Sequence, residues 1–194
     1  VVDEDIKRIE NARAGKKNKT KIHLYGRGPW SIRLADAFGE SALFFQTPVS
    51  HSACPPADPC DLCIHRVAAD AFVIAESAQR HAELLVDLLP YGNPIWVEKP
   101  LCTSLEELEQ IEAAVAKHPE SLILVDHTSL WHPDWAPFKA HFYAEEAFHV
   151  IVRWGGWGPV RRRTSPLWDW GPHAVAMALD LLPDTKISSN GVQE

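Results

Sequence analysis

Lys21-Ile22-His23-Leu24-Tyr25-Gly26-Arg27-Gly28-Pro29-Trp30-Ser31 is the stretch that decides the fold. Its first five residues alternate with period two, as a strand does, and run straight into a turn with two glycines. Ile32, Leu34, Ala35 and Phe38 follow at near-helical spacing, and Pro29 suits a first helical turn, where its missing N–H leaves nothing unpaired. The order is strand, glycine turn, helix. Gly26-x-Gly28-x-x-Ser31 is a dinucleotide-binding pattern with Ser where a third Gly or Ala would stand. Glycine lets the backbone approach a pyrophosphate, and a helix N-terminus offers unpaired N–H groups and a favourable dipole. Gly26, Gly28, Pro29 and Trp30 are therefore candidate cofactor contacts, although a tight turn without a ligand would use the same residues.

Outward from this turn, strands and helices alternate. Ala42 to Phe45 is a short apolar run, and Ala69 to Ala75 reads as a fully buried strand followed by a helix over Gln79 to Leu89. Ile95-Trp96-Val97 is the next strand and ends at Glu98-Lys99-Pro100. Ser104 and Glu107 form a capping box for a helix whose buried stripe is Leu105, Leu108, Ile111 and Val115. Leu122 to Val125 is a further buried strand. Such alternation predicts a parallel sheet. Beyond His127, a helix is predicted over residues 134–146, a half-exposed strand over Phe148 to Trp154, a helix over about Pro172 to Leu182, and a strand-like tail over Lys186 to Val192.

Composition narrows the function. With 46% hydrophobic residues in 194, the chain can bury a core of one domain or one and a half. Nineteen Lys and Arg against 26 Asp and Glu give a formal charge of −7, which offers no electrostatic grip on nucleic acid or an anionic membrane. A small-molecule substrate is the expected partner. No apolar run approaches the roughly 20 residues of a membrane helix, and Val1 to Lys21 is charged rather than a signal peptide, so a cytoplasmic setting is expected.

Cys54, Cys60, Cys63 and His65 carry ligand types that zinc prefers. They form one Cys-x-x-Cys with loose neighbours in a Pro-rich loop, without a second paired knuckle, so no metal is expected. The acidic residue that commonly binds ribose after a second strand is also missing. Gln46 or Thr47 stands there instead, and the choice between NAD and NADP stays open.

The glycine turn, Phe72-Val73-Ile74-Ala75 with Ser77 to His81, Glu98-Lys99-Pro100, and Asp169-Trp170-Gly171-Pro172-His173 together resemble the glucose-fructose oxidoreductase / inositol dehydrogenase (Gfo/Idh/MocA) family over residues 21 to about 182. That resemblance implies an α/β fold: a Rossmann-type parallel sheet with helices on both faces, then a partial α+β substrate domain. The expected division is an N-terminal arm 1–20, a dinucleotide-binding domain 21–127 and a substrate domain 128–194. It implies catalytic roles for Lys99, Asp169 and His173, meeting in one cleft, and adds Ser77, His81, Glu98 and Lys99 to the contacts of an NAD or NADP cofactor. The chemistry agrees, since carbonyl reduction needs a proton donor beside the hydride donor. Read without the family, Lys99 is a strand-end lysine, Asp169 a helix cap and His173 a core histidine.

The implied function is nicotinamide-dependent hydride transfer to or from a hydroxyl or carbonyl of a sugar, cyclitol or related metabolite. The alternative is a non-catalytic dinucleotide- or metabolite-binding module of the same descent. Two features depart from the family: Ala176 stands where an Asp often follows the His, and only Lys186 to Val192 remains of a sheet that full members continue. Both chain ends read as trimmed, and an unfinished sheet edge makes a homo-oligomer the expectation.

Overall fold

The computed structural model describes residues 20–39, 42–46, 68–144, 151 and 165–182. β1 (Thr20–Tyr25) leads through the glycine turn into α1 (Pro29–Phe38), followed by β2 (Ala42–Gln46). β3 (Ala71–Ile74), α2 (His81–Leu88), β4 (Ile95–Glu98), α3 (Leu105–Val115) and β5 (Ile123–Asp126) complete the first of two compact units, which divide between Asp126 and His127. All neighbouring strands are parallel, in the order β2-β1-β3-β4-β5. The chain therefore leaves β1 to one side and returns on the other, and the crevice at the carboxyl ends of β1 and β3 is the switch point where such sheets bind ligands.

Period-two alternation sends side chains to both faces. Ile22, Leu24, Val73 and Ala75 pack with Leu34, Ala35 and Phe38 of α1. Phe72, Ile74, Ile95 and Val97 pack on the other face with Ala82, Leu84, Leu85 and Leu88 of α2 and Ile111 of α3. Leu85 and Leu88 are fully buried, and truncating either to Ala would cost about 2–5 kcal/mol. Helices thus cover both faces, as the alternation of elements implies.

α3 is capped as its sequence predicts, with one shift. Ser104 Oγ accepts from the Glu107 N–H at 3.1 Å, while the Glu107 carboxylate reaches back to the N–H of Thr103 at 2.6 Å, one residue before the cap. β5 differs from the buried strand expected at Leu122 to Val125. It is the sheet edge and only half-buried, with Leu122 65% and Leu124 40% exposed, because no strand lies beyond it among the described residues.

The described elements of the second unit are helical: a 3-10 turn over Thr128–Trp131, α4 (Trp135–Ala144) and α5 (Pro166–Leu181). Asp180 joins the two helices, accepting from the Trp135 indole at 2.7 Å and pairing with Lys139 at 2.9 Å. Helix α5 starts earlier than the expected Pro172. Ser165 caps it and Pro166 takes the first turn, so Pro172 lies inside the helix. The N-terminal arm before Thr20, the cysteine loop and the strands expected at Phe148 to Trp154 and Lys186 to Val192 lie outside the described residues, Ile151 excepted.

Candidate functional site

The glycine turn is built for two jobs. Gly26 has φ +146°, and a Cβ there would stand 2.2 Å from Ser31 Oγ and 2.5 Å from the Ala75 carbonyl oxygen. Ser31, fully buried, donates to that carbonyl at 2.9 Å. These two residues bring helix and strand together. Gly28 differs: it caps α1 with extended backbone, no side chain caps the helix, no acidic residue sits in the first turn, and an added Cβ would meet nothing within 4 Å. Uncapped N–H groups facing open space at a sheet's carboxyl edge fit a dinucleotide pyrophosphate.

Trp30, 43% exposed, lies on the same first turn and donates its indole N–H to the Glu98 carboxylate at the end of β4. Glu98 and Asp126 are register partners at the ends of β4 and β5, 7% and 2% exposed. Burial, reinforced by the hydrogen bond and charge of Asp126, pushes Glu98 up to about 7; the Trp30 bond and the Lys99 charge act against that rise. Glu98, expected among the cofactor contacts, is therefore turned toward Trp30 and Asp126. Lys99 follows, half-buried, before a cis bond to Pro100.

Ser77 is exposed just after β3 and caps the 3-10 turn Ala78–Arg80. His81, also expected to touch the cofactor, is 1% exposed, with Nδ1 2.7 Å from the Pro100 carbonyl oxygen and Nε2 3.0 Å from that of Glu76. Both of its ring nitrogens face backbone carbonyl oxygens.

In the second unit, Asp169 and His173 lie one turn apart on α5 and are 7% and 6% exposed. With both inside one helix, the i and i+4 positions share a face. Ser129 Oγ lies 3.5 Å from His173 Nδ1. A cavity of about 510 Å³ opens beside Ser129, walled by Trp135, Phe138 and Met177. His127, half-buried, leads into this unit.

Asp126 and Ser129 were not singled out from sequence. Asp126 had a usable signal, an acidic residue closing a strand; Ser129 had none. Cys54, Cys60, Cys63 and His65 lie outside the described residues, and among the described residues no group of three or more metal-binding side chains gathers. No described helix is long and apolar enough to cross a membrane.

A profile described as an oxidoreductase family with an NAD-binding Rossmann fold matches residues 32–127. No curated protein matches the chain. Among solved structures it is similar to a provisionally assigned oxidoreductase from Magnetospirillum magnetotacticum MS-1, at 29% identity and TM-score 0.62, over 85% of this chain and 57% of that one. A provisionally assigned NADPH-dependent oxidoreductase from Desulfitobacterium hafniense DCB-2 shares 19% identity at TM-score 0.64, over 86% and 56% of the two chains. The scyllo-inositol dehydrogenase of Lactobacillus casei, solved with NAD(H) and scyllo-inositol, shares 16% at TM-score 0.53, over 65% and 41%. The last two likenesses are of fold alone. The chain spans little more than half the length of the first two.

Proposed function

We propose that this chain, whose residues 32–127 match the Gfo/Idh/MocA oxidoreductase family with its NAD-binding Rossmann fold, is a member of that family and moves a hydride between NAD or NADP and a hydroxyl or carbonyl of a sugar, cyclitol or related small metabolite. The observation that carries the reading is the open backbone at Gly28, at an uncapped helix N-terminus on the switch-point edge of the sheet. The NAD(H)- and scyllo-inositol-bound relative supports the substrate class.

The bound nicotinamide supplies or accepts the hydride. Lys99, at the carboxyl end of β4, holds the substrate oxygen through its ammonium. His173 gives or takes the proton as that oxygen changes between carbonyl and hydroxyl, and Asp169, on the same helix face, steadies the imidazolium. Ser129, against Nδ1, sets the ring's orientation. In this proposal residues 21–127 serve the dinucleotide and residues 128–194 the substrate. Self-association is part of it, supported by exposed Leu124 on edge strand β5 and exposed Leu122 just before it. A cytoplasmic setting is proposed too.

Titration of NADH and NADPH, followed by tryptophan fluorescence, tests cofactor binding, and turnover of polyols in the presence of the bound nucleotide tests catalysis. No change in fluorescence or calorimetry with either nucleotide defeats the proposal. Binding without turnover of any polyol leaves a dinucleotide-binding module.

A further inference from the structure

We propose that His81 is the positioning residue for Lys99, bracing the Lys99–Pro100 loop against the loop after β3 through its two ring nitrogens. The inference rests on the role proposed above for Lys99. His81 opens α2 and is 1% exposed. Its Nδ1 meets the carbonyl oxygen of Pro100 at 2.7 Å and its Nε2 that of Glu76 at 3.0 Å.

Both ring nitrogens lie within hydrogen-bond distance of a backbone carbonyl oxygen, one on each loop. The bonds also fall where the sheet stops helping. The β3–β4 ladder pairs residues only as far as Ile74 and Val97. Past that point the chains part: one continues through Glu76 to exposed Ser77, the other through Lys99 to Pro100, and the imidazole spans the gap. The brace thus ties the residue after Lys99 to the loop beside the dinucleotide crevice, fixing the base of the Lys99 side chain relative to the cofactor side of the sheet. The charged neighbours along these loops are Glu76, whose carboxylate accepts from the Ser77 N–H at 3.3 Å, Arg80, paired with Glu83 at 3.5 Å, and Lys99 itself.

Three measurements on wild type and His81→Gln test this: nitrogen-15 spectra of the wild-type ring, NADH affinity, and the rate at which a small amine-reactive ester acylates Lys99, read by mass spectrometry against Lys117 and Lys139. Expected are a slowly exchanging ring N–H and a several-fold change in Lys99 acylation with the reference lysines unmoved. NADH affinity should hold within about threefold while kcat falls roughly 10²-fold, the scale of a small misplacement of a reacting group. A second variant, His81→Asn, guards against a failure of the first to fold. A wild-type ring whose N–H exchanges freely with solvent, or unchanged Lys99 acylation in a folded variant, overturns the brace. Wild-type protein that binds NADH yet turns over no substrate defeats the catalytic reading of Lys99, and the ring spectrum and acylation then decide the brace independently.

Discussion

The buried hydroxyl of Ser31 donates to the carbonyl of Ala75 at 2.9 Å, fastening the first turn of α1 to the end of β3. Gly26 lies against both groups with φ +146°. Gly26→Ala would strain the backbone and collide with this bond, so a loss of about 3 kcal/mol or more is expected in urea unfolding. Gly28→Val adds its side chain to open space. It should unfold at the wild-type urea concentration and lose NADH binding. Unchanged NADH affinity in that variant would remove the pyrophosphate assignment.

Glu98 makes stability depend on pH. Its folded value of about 7 lies above the 4.5 of a free carboxyl, so the folded protein holds a proton that the unfolded chain releases between those values. Its contribution is fully present below about 4.5 and is lost as the pH rises through about 7. Glu98→Gln keeps an acceptor for Trp30 and a donor toward Asp126. It should match wild type near about pH 5 and exceed it by about 2–3 kcal/mol near about pH 8. Denaturation curves at both pH values check this, and a difference independent of pH would refute it.

His173→Ala separates chemistry from binding. If the ring carries the proton, turnover should fall by roughly 10²–10⁴-fold while the dissociation constant of the nicotinamide nucleotide stays within about twofold. Asp169→Asn should lower turnover less and leave the nucleotide unaffected. A His173→Ala enzyme of wild-type kcat would return His173 to the hydrophobic interior as a packing residue.

For the cysteine loop, elemental analysis of purified protein should find no stoichiometric zinc, and Cys60→Ser with Cys63→Ser should leave the melting temperature within about 2 °C. About one zinc per chain, lost in the double variant, would make Cys54, Cys60, Cys63 and His65 a structural staple.

Much of the fold was legible because local spacing carries it. The alternation of Lys21 to Tyr25, the glycines after it and Pro29 describe β1, the turn and the start of α1, and Ser104 with Glu107 announces α3. Pro172 is a conspicuous helix opener in the sequence, while Ser165 and Pro166 carry the same signal six residues earlier and start α5. The composition of β5 matches an interior strand, and composition does not say which strand stands at the edge.

Sequence by itself determined which residues share a turn of helix or a strand end: Gly28 at the head of α1, Lys99 after β4, Asp169 and His173 one turn apart. These follow from backbone periodicity, which acts over a few residues. Tertiary structure alone decided that Trp30 reaches Glu98, that Glu98 faces Asp126, and that His81 turns both nitrogens onto Pro100 and Glu76. Most of these contacts join residues 19 to 68 positions apart, brought together by strand order and register. Once there, burial strips away water and obliges each polar group to find a partner in the protein, which is why both nitrogens of His81 meet backbone carbonyl oxygens.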